Sequence, residues 1–121
     1  ANPNHKGNFY NSQVGYWNIQ ALIRVCESGQ PLPWVSNHAG WEWFLGHKYA
    51  SMYDHALKPN NRSCGFDGWQ GAGAIAASSY HPGGVNVCFG DGRVHFFSDS
   101  VDKKVWEAFG TRQGGEVVDN F

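Results

Sequence analysis

Apolar and polar residues change their period along the chain, and each change marks an element. Between Asn11 and Gly29, Val14, Trp17, Ala21, Leu22 and Val25 follow one another at spacings of 3, 4, 1 and 3. Side chains spaced this way share one face of an α-helix, so the pattern predicts an amphipathic helix of roughly 13–16 residues. Asn11 or Ser12 can accept from the free amide groups at its start. Gly29 can take the left-handed conformation that ends a helix.

The period becomes two in HPGGVNVCFGDGRVHFF, His81 to Phe97. Strict alternation is the mark of a half-buried strand, and Asp-Gly between two such runs is a hairpin signal. With Asp91-Gly92 as a two-residue turn, Phe89 faces Val94 and Val87 faces Phe96. The buried face is then Val85, Val87, Phe89, Val94 and Phe96. Asn86, Cys88, His95 and Phe97 fall on the other face, with Cys88 opposite His95.

Helical spacing returns with Val101, Val105, Trp106 and Phe109, where Ser98, Asp99 or Ser100 can cap the start and Gly110 the end. The closing GGEVVDNF reads as a last short strand. Residues 1–10 are polar and broken by Pro and Gly, the composition of an extended arm. From Gln30 to Tyr80, prolines and glycines interrupt every long pattern. This region predicts short strands and aromatic-pinned turns, with a short helix near Ala50–Leu57. The fold expected is a single α+β domain over residues 1–121: an antiparallel sheet with a C-terminal hairpin, two helices, and long aromatic and Gly-rich loops.

Composition sharpens this picture. The chain has 16 Gly, 6 Trp, 5 Tyr and 8 Phe among 121 residues, only 16% charged residues, and a net charge of −1. With no basic stretch, no nucleic-acid partner is expected. Uncharged, aromatic-rich surfaces associate with little repulsion to hold them apart, which points to self-assembly. No apolar run approaches 18 residues, so this chain carries no expected membrane span and no signal peptide.

The candidate chemistry is sparse. Pro82-Gly83-Gly84 reads as an entry turn capped by His81, and Asp91-Gly92 as the hairpin turn, with Asn86 on the strand between them. A straight hairpin holds His81 and Asp91 apart, so these motif residues are read as shaping backbone. His38, His47 and His55, with Glu42 and Asp54, have no spacing typical of metal ligands, and no metal or other cofactor is expected. Ser78-Ser79 beside His81 lacks the nucleophile-elbow pattern, the glycines at 71, 73, 83 and 84 match no nucleotide loop, and no catalytic residue is assigned. Cys26, Cys64 and Cys88 lack metal-site spacing, and an odd number fits one disulfide and one free thiol. Cys26 near a helix end and Cys64 after the PNN turn are the expected pair, because Cys88 sits within a strand where it can serve as a small buried residue. Asn61-Arg62-Ser63 is a candidate glycosylation triplet. Trp34, Trp41, Trp43 and Trp69 are candidate assembly surfaces or stacking platforms for sugars.

The stretch SSYHPGGVNVCFGDGRVHFFSDSVDKKVWEAFGTRQGGEVV resembles the bacterial family named for a prepilin-type-processing-associated H-x9-DG motif. His81, nine residues and Asp91-Gly92 carry the likeness, with Ser78-Ser79, the Trp106 helix and Gly114-Gly115-Glu116-Val117-Val118 around them. Gly40, Trp43, Gly46, Pro59-Asn60 and Cys64 extend it, so that it covers most of residues 14–118. It implies a pilin-like globular domain, exported and displayed at or beyond the cell surface, without enzymatic activity. Family members typically begin with a hydrophobic pilin helix, and this chain departs from that pattern. It is therefore expected to be a processed mature domain or one that assembles without such a helix. The function expected is a secreted structural protein, a subunit of a filament, pilus-like or sheath assembly whose partner is itself. The alternative is an extracellular carbohydrate- or ligand-binding module using the loop tryptophans. A metal-dependent hydrolase built on the loop histidines is a distant third class.

Overall fold

The structure is a computed structural model that describes residues 9–12, 18–36, 44–46, 50–65, 73–112 and 114–115. The elements run β1 (Phe9–Asn11), α1 (Ile19–Glu27), β2 (Trp34–Ser36), β3 (Ser63–Gly65), β4 (Gly73–Ala74), β5 (Gly84–Cys88), β6 (Val94–Ser98) and α2 (Lys103–Phe109). The architecture is α+β, divided between two sheets. A four-stranded sheet has the order β2-β1-β3-β4, and β5-β6 form a separate hairpin. Strand β1 pairs antiparallel with β2 and parallel with β3. Phe9 and Tyr10, expected at the end of an arm, therefore lie in a central strand. The tail expected as a strand lies outside the described residues from Glu116 onward.

Helix α1 is shorter than its apolar pattern predicted. Asn11 is committed to β1, while Ser12 donates to the Gly65 carbonyl through both its N–H (2.9 Å) and its Oγ (2.8 Å). Neither is the cap of α1, which starts at Ile19. Asn18 caps it instead, its Oδ1 accepting from the Ala21 N–H at 3.0 Å. Val14 and Trp17 lie outside the described residues. Leu22 and Cys26, one turn apart on the same face, are buried in a cluster with Leu57, Cys64, Ala74 and Ala76.

The far end of α1 is fastened to β3. The last carbonyls of a helix lack intrahelical donors and favour a cation. Arg62 supplies one: its Nη2 donates to the Val25 and Cys26 carbonyls at 3.0 and 3.1 Å, and Nη1 to the Gln30 carbonyl at 2.5 Å. Its guanidinium also lies over the Tyr10 ring. Two residues on, Cys64 is joined to Cys26 by a disulfide.

A second cluster holds Ala77, Val85, Phe97 and Trp106. Helix α2 starts at an Asp102 cap, whose Oδ1 accepts from the Lys104 and Val105 N–H groups. The cap thus falls later than the expected Ser98–Ser100. Ser98 closes β6, and its Oγ is bonded to the Ser100 N–H. Gly110 ends the helix as expected.

No helix forms over Ala50–Leu57. Asp54 holds this segment against another part of the chain: its N–H donates to the Ile75 carbonyl, and its carboxylate accepts from the Ala56 and Ile75 N–H groups. Bonds to a segment 21 residues further along the chain have replaced the local ladder. His55 stacks on Trp106 at 4.1 Å and donates from Nδ1 to the Trp106 carbonyl at 2.7 Å. The fully buried Trp106 indole in turn donates to the Leu57 carbonyl at 2.8 Å. Leu57 belongs to the first cluster and Trp106 to the second, so this bond ties the two cores together.

Replacing Trp106 by Phe keeps much of the ring's burial and removes the donor. The stranded Leu57 carbonyl should cost about 1–3 kcal/mol, before any cavity cost. A lowered urea midpoint with an unchanged transition slope is the expected result.

Candidate functional site: the hairpin, its base and its outer face

The register of β5 and β6 decides what the hairpin presents to solvent. Gly84 pairs with Ser98, Val85 with Phe97, Asn86 with Phe96, Val87 with His95 and Cys88 with Val94. This is one residue away from the predicted pairing, and the turn is the reason. The Gly92 N–H donates to the Phe89 carbonyl, the Phe89 N–H donates to the Arg93 carbonyl, and Gly92 has φ +85°. The loop is thus Gly90-Asp91-Gly92, a three-residue turn with a left-handed glycine at its end. A one-residue slip exchanges the faces of a strand. Phe97 is accordingly buried at 2% exposure, whereas Phe96 is 52% and Val94 65% exposed. Cys88 faces Val94 and is exposed, correcting the expectation of a small buried residue opposite His95.

His81 and Asp91 stand at opposite ends of the hairpin. All of β5 lies between them, more than about 13 Å of extended backbone. At the tip, Asp91 accepts from the Arg93 backbone N–H at 3.0 Å and from Arg93 Nε at 2.7 Å. These bonds, with the Arg93 charge, hold its carboxyl below the usual carboxylate value. At the base, Gly83 has φ +95°, and a side chain on Gly84 would collide with the Phe97 backbone and the Phe96 ring. The exposed Pro82 precedes them. The cap of this turn is Ser79, whose Oγ accepts from the His81 N–H at 3.1 Å, in place of the expected His81. The His81 side chain is exposed.

Asn60 organises the base, a role the sequence reading missed. It is the one described non-glycine residue with positive φ, at 59°. Its N–H donates to the Ala77 carbonyl at 2.8 Å, and its Oδ1 accepts from the Ser79 N–H at 2.8 Å. Its Nδ2 donates to Asp99 at 2.6 Å and reaches the Gly84 carbonyl at 3.5 Å. Asp99 closes the knot by donating its own N–H to the Gly83 carbonyl. Asn tolerates this backbone conformation better than most residues, so Pro59-Asn60-Asn61 carried the available signal.

Beside the hairpin runs a groove of about 520 Å³, bounded by Met52, Tyr53, the segment Ile75–Ser78, Tyr80 and β5. No charged side chain lines it among the described residues. Tyr53 is partly exposed, and burial raises its hydroxyl pKa above the ordinary value.

The other expected site residues are scattered. Asn61 is half-buried, while Ser63 of its triplet is buried in β3, its Oγ accepting from the Ala76 N–H. Trp34 lies in β2; Trp41, Trp43 and Trp69, with His38, Glu42 and His47, lie outside the described residues. Among the described residues there is no group of three or more His, Cys, Asp or Glu side chains able to hold a metal. No described helix is long and apolar enough to cross a membrane.

These features define a small α+β domain whose glycine turns and polar knot hold a hairpin with one buried and one exposed face. The chain belongs to the family described as a protein of unknown function (DUF1559), whose model matches residues 4–104. No curated protein and no solved structure matches the chain significantly.

Asn60→Gly keeps the backbone conformation and removes the side-chain bonds, whereas Asn60→Ala adds backbone strain. Expected losses are about 1–3 kcal/mol for the first and roughly 1–2 kcal/mol more for the second, read from urea unfolding. The tip responds to acid. Because the folded-state pKa of Asp91 is depressed, its contribution is complete above about pH 4 and is lost as pH falls through the depressed value. The protection of the Arg93 amide, its exchange rate taken relative to the intrinsic rate at each pH, should fall over that acid window and stay constant above it; Asp91→Asn should abolish the change.

Proposed function

We propose that this chain is a structural subunit displayed outside the bacterial cell, self-associating within a filament, pilus-like or sheath assembly. The observation that carries this reading is the outer hairpin face, where Phe96 and Val94 stand exposed on an otherwise ordered sheet. Exposed apolar patches rimmed by polar residues favour association. The disulfide is consistent with an oxidising compartment such as the cell exterior. The likeness of the His81–Gly92 stretch to pseudopilin-like proteins supports the same placement. On this reading His81, Gly83, Gly84, Asp91 and Gly92 serve shape, and the activity of the protein is assembly. Electron microscopy of purified and native material, combined with cell fractionation, tests it. Ordered polymers in the surface or extracellular fraction are expected; a protein that stays monomeric at its highest soluble concentration and is retained in the cytoplasm would refute it.

A further inference from the structure

We propose that the outer face of the β5–β6 hairpin is a two-fold contact with a second copy of this chain, which deepens the self-association reading above and rests on it. The inner face is used within the molecule, with Val85 and Phe97 buried in the Trp106 cluster. The pairings Asn86 with Phe96 and Cys88 with Val94 gather four side chains on the outer face. Tyr80, 72% exposed, lies beside them, bordering the same groove as Asn86 and Cys88.

Charge selects the occupant. None of the four outer positions carries a charged side chain, and the neighbouring tip charges, Asp91 and Arg93, neutralise each other at 2.7 Å. An ionic partner has nothing here to pair with. A second copy of the same face brings no unpaired charge into the contact and matches apolar side chains with apolar side chains. Such a contact is isologous, each copy offering the same patch.

The area sets its strength. The exposed parts of Val94, Phe96 and Tyr80, with Asn86 and Cys88, amount to roughly 400 Å² per copy, about half of what a stable complex buries on each side. The dimer is therefore weak and dependent on concentration. It also closes on itself, since a two-fold contact joins two copies and no more. A polymer built on it has a dimer as its repeating unit and needs a second contact elsewhere.

Cys88 reports on the geometry because it lies on the contact face. Diamide, a diazene oxidant, takes up two hydrogens as two Cys88 thiols become one disulfide. Sedimentation velocity across a concentration series should show wild-type dimer growing with concentration, and diamide should trap it as a thiol-reversible band absent from Cys88→Ser. Phe96→Asp and, as a second and more exposed position, Val94→Lys should each weaken association at least tenfold and lose the trapped band, with unchanged thermal melting. If both variants associate and cross-link like wild type, this face is wrong while the self-association reading stands. If wild type neither dimerises nor polymerises, both fall.

Discussion

The side-chain amide of Asn60 is a fixed point for much of this molecule, because it bonds to three separate parts of the chain. Its oxygen holds Ser79, and its nitrogen holds Asp99 and reaches Gly84. These are the approach to the hairpin, the exit from it and its first strand residue. Asn60 sits within a strap, Leu57 to Cys64, that also receives the Trp106 indole, caps α1 through Arg62 and is joined to α1 by the disulfide. The two hydrophobic clusters are small, and a strap shared by both couples them into one structure. An ion pair, Lys103 with Glu27 at 2.6 Å, adds a contact between the helices, and with both side chains about a third exposed it contributes little.

With its base held, the hairpin can be two-faced. One side is closed over by Trp106 and Phe109, whose rings meet Phe97 at near-perpendicular angles. On the other, Asn86, Cys88, Val94 and Phe96 are exposed. A hairpin alone is marginal in water. The aromatic packing stabilises one face enough to leave the other available for a partner, and this asymmetry links the core to the proposed assembly.

The spacing of the H-x9-DG stretch acquires a physical meaning here. It sets one five-residue strand between two glycine turns, one at Gly83-Gly84 and one at Gly92. Glycine is required at each for its own reason: positive φ at 83 and 92, and the close approach of the Phe97 backbone at 84. The motif's ends need not meet in order to matter together, since they set the length and register of the strand between them.

Much of the fold was legible in local pattern. The α2 stripe, the Ala21–Val25 part of the α1 stripe, the alternation of 85–97 and the stop at Gly110 all follow from periodicity and turn chemistry, whereas Cys26 is joined to Cys64 although the burial of Cys88 on which that expectation leaned is not found. What the pattern lacked was competition between distant groups. Asn11 and Ser12 have the chemistry of caps, yet the backbone of Asn11 pairs with Gly65 of β3 and Ser12 bonds to the Gly65 carbonyl. Asp54 breaks a helical expectation by bonding to Ile75, and Asn60 looks like one turn residue among several until Ser79 and Asp99 surround it. The sequence by itself determined that a hairpin and two helices form, because hydrophobic period and glycine conformational freedom act over a few residues. Only the tertiary structure decided which side of the hairpin is buried: Gly90 joins the turn, shifts the register by one, and exposes Phe96 in place of Phe97, a choice enforced by packing against Trp106.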